Sequence, residues 1–215
     1  MRVIGITGGV GCGKSEVLDF LAKNYNCMII KSDEVAWSLE EPGRACFEQV
    51  TSLLESAKRD GDGDLFSGHN ICFDRKEAAA RMYRDPELVR RINDVVHPAV
   101  NKYIRDMISE EDKKNEVDYF FIEAALLIEN GYKAIVDEMW YIYCPEELRR
   151  GRLQKSRGYS DDKIDAIMAT QLSDEAFRDN CDVVIDNGGS IESMRLQVSA
   201  ALSTINSKSA ARGIL

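Results

Sequence analysis

The stretch GITGGVGCGKSEV, residues 5–17, places unusual backbone freedom in front of a helix-forming segment. Five glycines fall within nine positions, and a lysine and a serine follow them. The spacing fits G-x-x-x-x-G-K-[ST] from Gly8 to Ser15, directly after the apolar run RVIGIT (2–7). Glycines allow successive N–H groups to turn inward, and a helix N-terminus adds partial positive charge. We therefore predict a strand, a phosphate-binding loop and a helix, with a nucleoside triphosphate lying against the glycines.

Two polar side chains complete the chemistry of this loop. Lys14 supplies positive charge to the β- and γ-phosphates, and the Ser15 hydroxyl can bind Mg²⁺. The alternative is a glycine-rich turn with an exposed lysine, which the preceding strand and following helix disfavour. The predicted nucleotide-binding residues here are Gly8, Gly9, Val10, Gly11, Cys12, Gly13, Lys14, Ser15 and Glu16.

The loop alone does not separate a GTPase, an ATPase motor and a small-molecule kinase. The chain has no N-K-x-D motif to read guanine. The apolar run at 118–124 carries Glu123 where an Asp for Mg²⁺ is usual.

Short apolar runs alternate with helical patterns along the rest of the chain. The runs are nearly continuous in apolar residues, which is typical of strands buried on both faces of a parallel sheet. We predict an α/β fold, a five-stranded parallel sheet of the P-loop NTPase type sandwiched by helices. The predicted strands are 2–7, 27–31, 118–124, 138–143 and 182–186. The predicted helices are 14–24, 34–39, 44–58, 74–84, 86–110, 145–156, 160–179 and 190–206.

The gap between the second and third strands is too long for one crossover connection. It contains several helical segments, a Gly- and Asp-rich loop at 58–70 and a charged turn at 110–118. We interpret about 33–116 as a helical insertion that covers one end of the sheet. The core then comprises about 1–32, 117–148 and 176–215 of a single unit, 1–215.

The amino-acid composition indicates where the protein resides and which classes of partner it does not bind. The net charge of −9 and the pI of about 4.9 disfavour binding to nucleic acid or an anionic membrane. We expect no signal peptide and no membrane span, since no apolar stretch reaches 18 residues. Six cysteines without a C-x-x-C pair indicate reduced thiols and a cytoplasmic protein.

Asp33 ends the second predicted strand, in IIKSDEVAW (29–37). The carboxyl ends of parallel strands meet at one crevice, so this carboxylate could accept a proton from a hydroxyl, orient it, or hold Mg²⁺ through water. Alternatively, Ser32 or Asp33 caps the following helix. Taken alone, Asp33 favours the cap.

Other polar residues also allow two interpretations. The densest basic cluster of the chain consists of Arg149, Arg150, Arg152, Lys155 and Arg157. These side chains either close over the transferring phosphoryl group or form a solvated helix face. His97–Pro98 closes the helical pattern PELVRRINDVV and either packs at a helix end or contacts a ligand. Arg75 either pairs with Asp74 or Glu77 on its own helix or binds substrate. Cys12 is either redox-sensitive or points away from the loop.

Several motifs together resemble the dephospho-CoA kinases, from residue 2 to about residue 200. They are GITGGVGCGKSEV, SDEVAW, EPGRACFEQV, FDRKEAAARMYRDPELVRRINDVVHPAV, ALLIENGY and CDVVIDNGG. The resemblance implies a P-loop kinase that uses ATP and Mg²⁺ to phosphorylate the ribose 3′-hydroxyl of dephospho-CoA, giving coenzyme A and ADP. The insertion would then bind the CoA precursor.

The resemblance also implies roles for single residues. The catalytic set is Lys14, Asp33 and Arg152, with Arg152 beginning a basic lid at about 149–175. The acceptor is bound by Asp33, Arg75 and His97, the adenine side of ATP is read at Asp186 and Asn187, and Mg²⁺ lies on Ser15.

The chain departs from the family pattern in places. Ala125 replaces a proline, Lys31 and Ser32 precede Asp33 where many members have D-A, and Glu16 stands where Thr is common. Ser156 replaces a lid arginine, for which we take Arg157 as the substitute. The rival functions are a kinase of the nucleoside-monophosphate type and a non-catalytic ATP-binding relative. As a state of assembly, we expect a monomer or a weak homo-oligomer.

Overall fold

The computed structural model describes residues 1–67 and 72–212. Its elements in chain order are β1 (Arg2–Thr7), α1 (Lys14–Asn24), β2 (Cys27–Lys31), α2 (Ser32–Leu39), α3 (Phe47–Ser56), β3 (Phe66–Ser67), β4 (Cys72–Phe73), α4 (Arg75–Tyr83), α5 (Pro86–Lys114), β5 (Tyr119–Glu123), a 3₁₀ turn (Tyr132–Ala134), β6 (Glu138–Tyr143), α6 (Glu146–Arg157), α7 (Asp161–Ala169), α8 (Asp174–Asn180), β7 (Val183–Asp186) and α9 (Ile191–Arg212).

The five predicted strands form one sheet in the order β2-β5-β1-β6-β7. β1 pairs in parallel with β5, where Ile6 is level with Glu123, and with β6, where Thr7 is level with Tyr141. β6 pairs in parallel with β7. The predicted α/β fold is therefore confirmed, and the carboxyl end of β1 leads into the glycine loop.

The chain divides into two compact units. The first contains Met1–Ile30 and Glu111–Leu215, and the second contains Lys31–Glu110. In the first, apolar side chains of β1, β5 and β6 pack with those of α1 and α9; the fully or almost fully buried members include Ile4, Leu21, Phe121, Trp140 and Val198. This core fixes α1 against the sheet and so fixes the loop before it.

In the second unit, α5 confirms the helix predicted at 86–110, and His97–Pro98 lies inside this helix and not at its end. The helix continues through Pro98 to Lys114, so the predicted turn at 110–118 is partly helical. A proline inside a helix removes one N–H donor and crowds the carbonyl group four residues earlier, a cost that burial of an apolar helix face offsets. An apolar stripe runs across it at a spacing of four and is buried throughout: Leu88, Ile92, Val96, Val100 and Ile104.

Two further predictions of local structure were wrong. The helix predicted at 160–179 is two helices, because the Ser173 side chain accepts from the Ala176 N–H and starts α8 anew after α7 has ended at Ala169. The predicted loop 58–70 contains β3, which pairs antiparallel with β4. The end of that loop, 68–70, lies outside the described residues.

Candidate active site

Three glycines with positive φ shape the loop between β1 and α1. Gly8, Gly11 and Gly13 have φ angles of 150°, 78° and 88°, a range that side-chain-bearing residues rarely adopt. Gly13 is the N-cap of α1, and no described side chain caps this helix. The first N–H groups of a helix, together with its dipole, favour an anion. This geometry fits the predicted phosphate site.

Lys14 extends back over the loop that precedes it. Its Nζ donates to the carbonyl oxygen of Gly8 at 2.9 Å and lies 3.6 Å from Oε1 of Glu123. Both side chains are mostly buried, with 14% and 15% of their surface exposed. The sequence placed Glu123 at a strand end but gave it no role. The register of β5 beside β1 brings its carboxylate to the lysine.

Arg149 and Gln171 bind both backbone groups of Val10. The Arg149 Nε donates to the Val10 carbonyl oxygen at 2.8 Å, and the Val10 N–H donates to Oε1 of Gln171 at 3.1 Å. Arg149 Nη2 donates to the same Gln171 oxygen at 2.9 Å. Arg149 is therefore not a solvated helix charge. The sequence gave no signal for Gln171, which is 161 positions from Val10.

Arg152 and Asn187 close the other side of the loop at Cys12. Arg152 donates through Nη1 to the Cys12 carbonyl oxygen at 3.3 Å and through Nη2 to the Asn187 carbonyl oxygen at 2.9 Å. The Asn187 side-chain Nδ2 donates to the Cys12 oxygen at 2.8 Å, and this residue is buried. Two predicted site residues from separate elements therefore meet the loop at one carbonyl.

Cys12 points into the protein and not into the mouth of the loop. It is 1% exposed, and burial raises its pKa although Lys14 and Arg149 lower it. A raised thiol pKa leaves little thiolate at neutral pH. The structure therefore favours the second interpretation of Cys12.

Asp33 lies in the first turn of α2, in the second unit. The N-cap of that helix is Lys31, and no described side chain provides a cap hydrogen bond. The capping interpretation of Ser32 or Asp33 is therefore wrong. Asp33 is exposed, so its carboxylate is accessible to a ligand.

Arg75 begins α4, also in the second unit. Asp74 caps this helix by accepting from two N–H groups, and Glu77 accepts from Arg81 at 3.0 Å. The Arg75 guanidinium instead lies 5.8 Å from the centroid of the Trp37 ring and 4.0 Å from Glu41. The interpretation that Arg75 pairs with Asp74 or Glu77 is therefore wrong. Arg75 instead connects α4 with Trp37 on α2.

The remaining predicted residues have simpler surroundings. His97 is half-buried within α5, and Ser15 and Glu16 are exposed in the first turn of α1. Ser156 donates to the carbonyl of Arg152 at 2.6 Å, while Arg157 lies over the Tyr159 ring at 5.9 Å. The substitution of Arg157 for a lid arginine stays a prediction.

The described part of the chain contains neither a metal-binding cluster nor a membrane-spanning helix. No cluster of three or more His, Cys, Asp or Glu side chains there is arranged to hold a metal ion. Among the same residues, no helix has the length and apolar character that crossing a membrane requires.

Comparison with known proteins agrees with the motif resemblance. A family model described as dephospho-CoA kinase matches residues 2–193. A dephospho-CoA kinase of Corynebacterium diphtheriae is 34% identical over 190 residues, which are 88% of this chain and 90% of the relative.

Solved structures share the fold. A Thermus thermophilus protein superposes with a TM-score of 0.73 at 28% identity, covering 94% of this chain and 97% of the other. A dephospho-CoA kinase from Campylobacter jejuni has a TM-score of 0.70 at 20% identity, covering 97% of this chain and all of the other (100%).

Proposed function

The chain belongs to the dephospho-CoA kinase family, and on that premise we propose how its residues transfer a phosphoryl group from ATP to the ribose 3′-hydroxyl of dephospho-CoA, giving coenzyme A and ADP. The observation that carries the proposal is the loop at residues 8–15. It combines positive-φ glycines, an uncapped helix start among the described residues, and Lys14 held over the loop. These features favour a polyphosphate.

On the donor side, the loop N–H groups bind the phosphates of ATP and Lys14 neutralises charge on the transferring group. The Gly8 carbonyl and Glu123 hold Lys14 in place before ATP arrives. Preorganised charge of this kind stabilises the transition state without reorganisation during the reaction. Arg152, bonded to the loop carbonyl of Cys12, adds a second positive charge at the same rim.

Mg²⁺ is part of the proposal, and the donor set fits it. The Ser15 hydroxyl and the Glu123 carboxylate are hard oxygen ligands, which Mg²⁺ prefers, and Mg²⁺ usually takes its other ligands from phosphates and water. When bound, the ion neutralises charge on the phosphate oxygens. Glu123 also lies 3.6 Å from Lys14, so this carboxylate would contact both cations once the ion is bound.

On the acceptor side, Asp33 orients the 3′-hydroxyl and accepts its proton, while Arg75 and His97 bind the rest of the molecule. The segment 149–175 acts as a lid whose closure excludes water and so prevents wasteful hydrolysis of ATP. We place the enzyme in the cytoplasm, which agrees with five free cysteines in the described residues.

A coupled ADP-release assay tests the function. We expect release from the purified chain to require dephospho-CoA, with coenzyme A identified by mass. Release with nucleoside monophosphates alone would support the first rival, although the family match does not favour it. ATP binding without acceptor-dependent release would support the non-catalytic rival.

The role of Asp33 has its own test. Asp33→Asn should lower kcat by about 10²- to 10⁴-fold, the usual range for a general base. Affinity for ATP should not change, because the carboxylate contacts the acceptor. Unchanged turnover in this variant would remove Asp33 from the catalytic set.

A further inference from the structure

An indole ring on α2 is left half open to solvent one helical turn after Asp33. Trp37 is 55% exposed, whereas Val35 and Leu39 on the same helix are buried. Residues four apart lie on one helix face, so Asp33 and Trp37 share the exposed face of α2. A single exposed aromatic residue is common and needs no functional explanation by itself.

Arg75, the first residue of α4, lies next to the Trp37 ring. Its guanidinium lies 5.8 Å from the Trp37 ring centroid, within the range of a cation–π contact. Glu41 is at the outer limit of an ion pair with Arg75 at 4.0 Å, Glu40 is a second carboxylate close enough to interact with its charge, and 60% of the Arg75 side chain is exposed. Trp37 and Arg75 thus present an aromatic surface and a solvent-accessible positive charge together.

We propose that Trp37 stacks against the adenine of the acceptor, dephospho-CoA, and that Arg75 contacts its pyrophosphate. This inference rests on the function proposed above. Bases stack on aromatic side chains, and guanidinium groups bind phosphates.

The spacing between Asp33 and Trp37 on α2 favours adenine, and not the pantetheine arm, as the group that stacks on Trp37. Four residues of helix rise about 6 Å. That rise is comparable to the separation between a purine ring and the 3′-oxygen of its own ribose. A base on Trp37 therefore brings its 3′-hydroxyl level with Asp33, whereas the far end of the pantetheine arm has no such relation to the reacting oxygen.

Intrinsic fluorescence tests the stacking directly. The chain has two tryptophans, and the other one, Trp140, is fully buried. We expect dephospho-CoA, added without ATP, to quench the emission in a saturable manner, and 4′-phosphopantetheine, which lacks adenine, to leave it unchanged. Trp37→Phe should abolish the response, with Trp140 as the internal reference. Equal quenching by 4′-phosphopantetheine, or none by either, overturns the proposal.

Kinetics provide the second test. Trp37→Ala should raise KM for dephospho-CoA about tenfold or more, the effect of losing one base–aromatic stack, with KM for ATP unchanged. Trp37→Phe should restore much of the affinity. Tyr83→Ala is the matched control, since Tyr83 is an aromatic residue 93% exposed at the end of α4.

Turnover by the wild-type protein separates failure of the stacking from failure of the function. If wild-type protein turns over dephospho-CoA but Trp37→Ala has the same KM, the stacking is wrong and the function stands. If wild-type protein does not turn it over, the function itself is wrong.

Discussion

A β-carbon on Gly9 would overlap Nη2 of Arg149, far inside van der Waals contact. Gly9 is not among the glycines with positive φ, so its backbone would accept alanine. The reason for glycine here is therefore the arginine that lies across the loop. Arg149 in turn is fixed by its bonds to Val10 and Gln171.

Gly9→Ala should act by displacing Arg149. Loss of the two Arg149 bonds should reduce kcat/KM for ATP about tenfold, as expected for hydrogen bonds from a charged group. Arg149→Ala should have a similar effect, and the double variant should be no worse than either single one. A double-mutant cycle measures this coupling. Losses that multiply in the double variant would show that Gly9 is needed for another reason.

Gly151→Ala provides a contrast within α6. A β-carbon there meets no atom within 4 Å, and the residue is exposed in the helix. Glycine costs a helix interior about 1 kcal/mol relative to alanine. We expect Gly151→Ala to raise the free energy of unfolding by about 0.5–1 kcal/mol in urea titrations, with activity unchanged. A lower unfolding midpoint would contradict this view of α6.

Asn187→Asp tests the amide donor at the base of the loop. An aspartate has nearly the same shape as asparagine, but its carboxylate cannot donate a hydrogen bond to the Cys12 carbonyl oxygen. The two negatively polarised groups would repel each other instead. Arg152 Nη1 would still donate to this oxygen, but the repulsion should displace the loop backbone, so ATP should bind about tenfold more weakly in calorimetric titration, as for the loss of one hydrogen bond. Asn187→Gln, which retains the donor, is the comparison. Equal ATP affinity in Asn187→Asp and wild type would exclude this role.

The sequence was most informative where the signal is local. The loop is recognisable because its glycines and Lys14 are adjacent, and the strands because they are continuously apolar. The cap at Asp33 was wrong, since Lys31 takes the N-cap position.

Contacts between distant segments could not be predicted. Gln171 binds Val10 across 161 positions, and Asn187 binds Cys12 across 175. Arg81 and Arg84 are three residues apart, yet Arg81 is fully buried and 30% of the Arg84 side chain is exposed. Periodicity does not distinguish such residues, because burial depends on how the other elements fold around them.

Arg81 should be critical for the stability of the second unit. It donates to the carbonyl oxygens of Leu54 at 2.9 Å and Gly63 at 2.6 Å, and its Nε donates to Glu77 at 3.0 Å. Arg81→Met leaves these buried groups unpaired, so we expect a loss of about 3–5 kcal/mol in urea unfolding. Arg90→Ala, at an exposed arginine paired on its own helix, is the control and should change the midpoint little.

Cys12 should resist alkylation in the native protein despite its place in the phosphate loop. It is 1% exposed, and burial raises its pKa, so the reactive thiolate is scarce at pH 8. We expect iodoacetamide at this pH to leave the Cys12 peptide unmodified in mass spectra and to modify it in urea. Below the pKa, labelling should increase about tenfold per pH unit, as the thiolate fraction does. Rapid labelling of native Cys12 at pH 8 would mean that the loop opens far more often than its bonds to Arg152 and Asn187 allow.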